Sequence, residues 1–380
     1  MASIATIEVT DGNPVAALRG FCARLLESGE VTAVLAPRTL PGGFGTMPAL
    51  IAETEGLADV DPLAPSFRIN AARMLTRLTR GAEDSTMVAA LLRPCEVRAF
   101  IELCKLNQGS LENALTISVD CCGAFANTDY PRFAADGGDS GSLNAFLKAS
   151  GRGSYNGVQV ARACRVCEQP AGAEADLSIG VFGQDVEKGL LLMANTPKGE
   201  GFMARLGYPE ASGSGGREEA LAEIVAERTQ ARDQMFAETS KATGSMEGLS
   251  RFLSACVNCY NCRMACPVCY CRECVFLTDV FDHKPWQYLS WARQRGAIKM
   301  PTDTVFFHLT RLAHMSTACV GCGQCSNACP NDVPVMELFR TISAGTQAAF
   351  EYQPGKNPNE PPPLSVFREH EFPEVTGGLD

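Results

Sequence analysis

The chain is short of positive charge: 33 Lys and Arg stand against 43 Asp and Glu, a formal net charge of −10. No stretch gathers its basic residues into the stripe that tracking a phosphate backbone requires, so no nucleic-acid partner is expected. Long apolar runs are missing as well. Nothing approaches the ~18 uncharged apolar residues of a membrane span. The start, MASIATIEVTDGN, has no basic segment leading into an apolar one and does not read as a secretory signal. A cytoplasmic, reducing setting is expected, in which thiols stay reduced and cysteines serve metals more than disulfides. Also absent are H-E-x-x-H, G-x-S-x-G, G-x-x-x-x-G-K-[ST] and a G-x-G-x-x-G that opens a helix after a strand. Histidine is scarce, with 4 residues. His308 and His314 in VFFHLTRLAHM read as packed or hydrogen-bonded helix residues, and His283 and His370 as surface positions.

Apolar residues are plentiful, 46% of 380, enough for a sizeable core over two or three domains. VTAVLAP (31–37), MVAALL (87–92), ALTISVD (114–120), LSIGVFG (177–183) and GLLLMAN (189–195) have the length and flanking turn residues of buried strands. Between them, Val15, Leu18, Phe21, Cys22, Leu25 and Leu26, then Val97, Ile101 and Cys104, recur at helical spacing. The fold class is α+β or α/β. Residues 199–217, rich in Gly and Ser, read as a linker, and 218–242 as an amphipathic helix. The Gly-rich PGGFGTMP (41–48) reads as a flexible loop, with a cofactor-contacting loop as the alternative. The segment from Tyr352 is too Pro-rich for helix or strand and should lie extended over the surface or a partner. The expected organisation is an α/β domain over 1–200, a linker and helix over 201–250, a ferredoxin-like domain over 251–350 and a Pro-rich tail over 351–380.

Cysteine is abundant and segregated. Of 18, eleven fall within 256–274 and 319–329. CVNCYNCRMACP supplies Cys256, Cys259, Cys262 and Cys266; CVGCGQCSNACP supplies Cys319, Cys322, Cys325 and Cys329. Both read C-x2-C-x2-C-x3-C-P, the bacterial-type two-cluster ferredoxin spacing. Three thiolates two residues apart wrap three irons of one cubane. The fourth, ahead of the Pro, reaches the other cluster, so Cys329 is assigned to the first 4Fe-4S cluster and Cys266 to the second. Zinc usually takes paired C-x2-C units with a longer gap. A third 4Fe-4S cluster is expected from Cys95 and Cys121, each following a predicted strand, with the pair Cys164 and Cys167, all meeting at the carboxyl edge of one sheet. Cys122 is the competitor for Cys121. Cys269, Cys271 and Cys274 extend the first run but are one ligand short of a cubane, so a fourth cluster is left open. Cys22 and Cys104 read as small buried hydrophobes.

In order, LRPCEVRAFIELCKLNQGSLENALTISVDCCG, RACRVCEQPAGAEADLSIGVFG, CVNCYNCRMACPVCYCRECVF and FFHLTRLAHMSTACVGCGQCSNACPNDVPVMELFR resemble the coenzyme-F420 hydrogenase and dehydrogenase beta-subunit family. The formate dehydrogenase beta subunit, which carries the C-terminal ferredoxin module, is the nearest match in pattern. The resemblance covers about residues 86–345. It implies an N-terminal α/β flavin domain with FAD beside a proximal 4Fe-4S cluster on Cys95, Cys121, Cys164 and Cys167, and exchange of hydride with coenzyme F420 as substrate. Asn70, Arg98 and Gly123 are the candidate flavin contacts. The implied partners are a formate dehydrogenase or hydrogenase catalytic subunit and heterodisulfide reductase subunits; the implied role is an oxidoreductase subunit that transfers electrons. A second reading keeps the clusters as a flavin-free electron-transfer adaptor, and a third is a zinc-structured binding module.

Overall fold

The computed structural model describes residues 3–82, 87–135, 140–155, 157–211, 213–271, 273–278, 284–295 and 304–366. Seven strands, β1 (Ile4–Glu8), β2 (Ala33–Thr39), β3 (Thr46–Ile51), β4 (Val88–Leu92), β5 (Ala114–Val119), β6 (Leu177–Gly180) and β7 (Gly189–Ala194), form one sheet in the order β1-β7-β6-β5-β4-β2-β3. The inner four are parallel, with Leu35 opposite Ala90, Ala90 opposite Thr116 and Ile117 opposite Leu177. The outer strands run antiparallel to their neighbours. Every residue of β4, β5 and β6 is buried, as expected of parallel strands covered on both faces.

Fourteen helices are described: α1 (Pro14–Glu27), α2 (Ala72–Thr79), α3 (Pro94–Lys105), α4 (Tyr130–Ala135), α5 (Ser140–Lys148), α6 (Arg162–Arg165), α7 (Pro197–Leu206), α8 (Arg217–Thr243), α9 (Met246–Phe252), α10 (Asn261–Ala265), α11 (Pro285–Arg295), α12 (Thr304–Met315), α13 (Gln324–Asn327) and α14 (Val335–Ala349). The Asn13 side chain caps α1 by accepting from the Ala16 N–H at 3.0 Å, and Pro14 starts it. Leu18, Phe21, Cys22 and Leu25 of α1 then pack with Val34, Ala89, Ile117 and Ile179 on one face of the sheet.

The other face carries α2 and α3. Nine residues of α3 are buried, including Val97, Phe100, Ile101 and Leu103. A helix is buried all round only when something covers its outer side. Here that is the C-terminal segment, whose Leu253, Phe276, Phe307, Leu312, Val335 and Phe339 share one core with Phe100 and β4. Burying Phe100 or Phe307 contributes about 2–3 kcal/mol each. The cysteine-rich third is thus a further layer laid on α3. Helix α8 ties the layers together. Its first residue, Arg217, bonds Asp120 at the end of β5 at 2.6 and 3.0 Å, while Ile224, Arg228, Met235 and Thr239 form its buried stripe towards α14 and α9.

All five expected strands are present, as are the helices over 15–26 and 218–242. Three details differ. Strand β1 was not anticipated. Residues 41–48 are no loop throughout: 41–45 turn a hairpin and Thr46 begins β3. The stretch 199–217 is a connection only from Gly207, because Thr196 caps α7, accepting from the Gly199 N–H at 3.1 Å, and the helix runs to Leu206. Gly199 is needed there, since a Cβ would overlap the Asp176 carbonyl. The tail from Tyr352 is described as far as Val366; it begins with Tyr352, Pro354 and Gly355 buried, and from Lys356 on it is exposed or half-buried. The Tyr352 hydroxyl donates to Glu102 at 2.6 Å and the Gly355 N–H to the same oxygen at 2.7 Å. Among the described residues no helix is long and apolar enough to cross a membrane.

Candidate metal centres

Three groups of thiols assemble around α3. The first comes from the carboxyl edge of the parallel sheet. Cys95 stands in the first turn of α3, immediately after β4, and Cys121 follows β5. Cys164 lies on α6, and the Cys121 N–H donates to the Pro170 carbonyl at 2.8 Å, which brings the segment after Cys167 to the same edge. Cys121 and Cys167 are electrostatic neighbours of both Cys95 and Cys164. Burial, then the neighbouring thiols, pushes Cys95 well above the ordinary thiol value, and burial pushes Cys164 up to about 12. Gly123, at φ +112°, leaves room beside this group; a Cβ there would stand 3.2 Å from the Cys164 Cβ. The Ala124 N–H and an Arg93 Nη1–H approach the Cys164 and Cys121 sulfurs at 3.3 and 3.5 Å. Cys122 is directed away, its thiol against the Leu147 carbonyl in the apolar core.

The two ferredoxin-type runs interlock crosswise. Cys262 has Cys256, Cys259 and Cys329 around it, so the last cysteine of the second run joins the first three of the first. Cys266 and Cys319 surround Cys322, and all three surround Cys325. Burial pushes Cys262 up to about 11 and Cys266 up to about 12. Cys322 is also a neighbour of Cys95, so the second group lies between the first run and the sheet. Gly323, at φ +74°, permits this approach because a Cβ would overlap Ala163 next to Cys164. Gln324 and Asn327 hold the contact, donating to the Phe67 carbonyl at 2.8 and 3.0 Å.

Thiols that resist ionising by themselves ionise only against compensating positive charge, which bound iron supplies. The surroundings fit an anionic cluster rather than bare thiols. Arg311, 4% exposed, donates to the Cys262 sulfur at 3.2 Å and its carbonyl at 3.3 Å, and stands over the rings of Phe307 and Phe339. Arg98, 5% exposed, donates to the Val320 carbonyl at 2.8 Å, and Arg228, 7% exposed, to the carbonyls of Cys121 and Cys122 at 3.3 and 3.0 Å. Among the described residues none of the three is paired with a carboxylate. A buried cation without a counter-ion is costly, and a thiolate-bound iron–sulfur cube supplies one. Among the described residues no three Cys, His, Asp or Glu side chains converge tightly enough for one metal ion; a cube, with one thiolate per iron, spreads its ligands over four corners.

His308 is packed as expected, 1% exposed, its Nε2 3.4 Å from the Cys256 sulfur, and burial lowers it to about 4. His314 is exposed instead, on the outer side of α12. His283 and His370 lie outside the described residues. Cys22 is buried and Cys104 half-buried on their helices, both pushed up to about 12 by burial.

The three candidate flavin contacts do not line one cavity. Gly123 borders a space of about 20 Å³ at the sheet edge, and a second space of about 20 Å³ lies beside Phe67 and Arg68. Asn70 is buried, its Oδ1 accepting from the Ala72 N–H at 3.0 Å and its Nδ2 without a partner. Arg98 lines a cleft of about 700 Å³ beside Cys319, together with Phe236, Gln347, Tyr352 and Ser343. Its Nε and the Ser343 hydroxyl are buried there without hydrogen-bond partners.

A family model described as a 4Fe-4S binding domain matches residues 314–335, the second run. Across most of its length the chain is similar to beta subunits of F420-dependent formate dehydrogenases. It is 26% identical over 314 residues to that of Methanocaldococcus jannaschii, covering 74% of this chain and 77% of the relative. It is 26% identical over 370 residues to the formate dehydrogenase 1 beta subunit of Methanococcus maripaludis, covering 90% of each. Both are named as subunits of an oxidoreductase. A chain of the F420-reducing NiFe hydrogenase complex from Methanosarcina barkeri aligns with a TM-score of 0.47 at 15% identity, over 64% of this chain and 94% of that one, a likeness too loose to bear on function.

Proposed function

We propose that this chain is the iron–sulfur beta subunit of a formate dehydrogenase or hydrogenase complex. It passes electrons singly between a catalytic or heterodisulfide-reductase-like partner and a two-electron carrier, in the cytoplasm, where thiols stay reduced. The observation that carries the reading is the unbroken succession of thiol groups. The group of Cys256, Cys259, Cys262 and Cys329 adjoins that of Cys266, Cys319, Cys322 and Cys325 through α10, and Cys322 adjoins the group of Cys95, Cys121, Cys164 and Cys167. Each group would hold one 4Fe-4S cluster. The protein fixes their spacing and supplies Arg98, Arg228 and Arg311 as buried counter-charges. The formate or hydrogen half-reaction belongs to another subunit. The sheet and its first helices (1–200), the connection and α8 (201–250), the cluster-bearing layer (251–350) and the tail (351–380) divide this work.

For FAD the best-fitting place is the cleft beside Cys319, where Arg98 and Ser343 offer unpartnered buried polar atoms. Of the three candidate contacts, only Arg98 is retained in that role. A bound flavin supplies the exchange between a hydride carrier such as coenzyme F420 and one-electron clusters. The small spaces at the sheet edge favour a second reading, the flavin-free adaptor, over a flavin placed beside Cys95. Gentle anaerobic copurification with the partner subunits, followed by a flavin spectrum, separates the two. Cys325→Ser is expected to abolish partner-linked electron flow while flavin content stays at the parent level; undiminished turnover would reject the relay.

A further inference from the structure

Of the thiols the relay leaves unused, three are neighbours on one stretch of chain. Cys269, Cys271 and Cys274 follow α10 on one loop, Cys269 half-buried with Cys271 and Cys274 as its neighbours, and Cys271 exposed. The loop is fixed at both ends. The Cys269 N–H donates to the Cys266 carbonyl at 3.3 Å, and the Leu277 N–H to the Cys274 carbonyl at 2.8 Å. Between Cys274 and Leu277, Phe276 is buried edge-on against Phe307. Beside Cys269 stand Arg311, which already bonds the Cys262 sulfur, and Arg263, 6% exposed, its Nε without a partner and its Nη1 donating only to the Met264 sulfur at 3.2 Å. Among the described residues Arg263 too has no carboxylate. Each four-thiol group of the relay has such a guanidinium against it, Arg228, Arg98 or Arg311, and the three-thiol loop has Arg263. A buried cation with no carboxylate calls for an anion, and neutral thiols are not one.

We infer that Cys269, Cys271 and Cys274 hold a fourth iron–sulfur cube through three thiolates, with Arg263 as its counter-charge and its remaining corner open on the exposed side at Cys271. The inference rests on the relay reading for the presence of clusters but not on the relay's route. Three protein thiolates leave one iron without a cysteine, and that iron is the one a mild oxidant removes. It departs as Fe2+ while one electron passes to ferricyanide, and a three-iron cube remains.

The test uses the full chain, purified anaerobically with its partners. Cys271→Ser and, separately, Arg263→Ala are compared with the parent for iron and labile sulfide, zinc, and the paramagnetic resonance spectrum after one equivalent of ferricyanide. The expected results are a three-iron signal in the parent, its loss in Cys271→Ser, and about four fewer iron and sulfide per chain in that variant. Because Cys271 is exposed, its replacement leaves the core intact, and an unchanged melting temperature verifies this. Unchanged iron in Cys271→Ser, zinc in place of iron, or no three-iron signal in the parent would each overturn the inference. A parent with no iron at all would instead sink the relay reading itself.

Discussion

The sheet-edge thiols and the ferredoxin-type thiols are gathered in opposite ways. Cys95, Cys121, Cys164 and Cys167 come from separate parts of the chain and meet because β4 and β5 are parallel neighbours, locked in register and buried on both faces. Each ferredoxin-type run packs four cysteines into eleven residues whose only regular structure is α10, of 5 residues, or α13, of 4. One site is preformed by a hydrogen-bonded scaffold. The other has little scaffold beyond what the bound metal would cross-link. The sheet is therefore expected to keep its fold without metal, whereas the outer layer is expected to depend on it.

The largest expected effect follows from that contrast. Removing iron with a chelator under reducing conditions should strip amide-exchange protection from 251–278 and 319–334, while β4, β5 and β6 stay protected. Peptide-resolved hydrogen exchange measures this, and equal protection of both regions in the metal-free protein would refute the distinction. The residues of α12 and α14 that pack on α3, such as Phe307 and Phe339, should lose protection only partly, because their burial is apolar and survives the metal.

A smaller effect sharpens the sheet-edge side. Cys164→Ser should cost about four iron atoms per chain and leave thermal unfolding of the sheet nearly unchanged. Cys122→Ala should retain all iron and cost only about 1 kcal/mol of stability, as a buried side chain trimmed in the core. Iron analysis and melting curves distinguish the two; the reverse pattern would make Cys122 the ligand.

The same contrast explains what was legible in the sequence. The runs at 256–266 and 319–329 are local, so spacing alone made them legible, and the two-cluster ferredoxin pattern gave the crosswise pairing expected of them. The sheet-edge group was visible because Cys95 and Cys121 each follow an apolar strand, Cys164 and Cys167 form a C-x2-C pair, and all four fall in the motifs that carry the family resemblance. Strand β3 escaped because it carries Pro48, opposite Pro37 in β2, and proline argues against a strand except at a sheet's edge, where β3 lies. Helix α7 escaped because Gly199 and Gly201 outweighed the Thr196-Pro197 start signal. The arginines were missed for a different reason. Arg311 looks like an ordinary charged helix residue, yet His308, Arg311, Leu312 and Met315 share the buried stripe of α12. A cation on an apolar stripe was the available signal. Arg228, on the buried stripe of α8, left the same trace. Cavity shape left none, which is why Asn70 and Gly123 fell outside the wide cleft.

Arg311 also gives the finest test of the comparison, because it stands between the two ferredoxin-type groups and touches nothing at the sheet edge. Burial works against its charge, and Cys262, Cys266, Cys325 and Cys269 more than offset this, holding its guanidinium protonated. A fixed positive charge beside a cluster favours the form with one more electron, and hydrogen bonds to ligand sulfur act in the same direction. Arg311→Gln should therefore lower the reduction potentials of both ferredoxin-type clusters together by about 60 mV, a tenfold change for one electron, while the sheet-edge cluster keeps its value. Arg311→Lys, which retains charge but not the paired donors to Cys262, should recover most of the shift. A potentiometric titration followed by paramagnetic resonance reads the sheet-edge and both ferredoxin-type clusters in one sample. A shift shared by the sheet-edge cluster would mean that Arg311 acts through a general rearrangement of the layers, since its charge faces the two ferredoxin-type groups and Cys269 but no sheet-edge thiol.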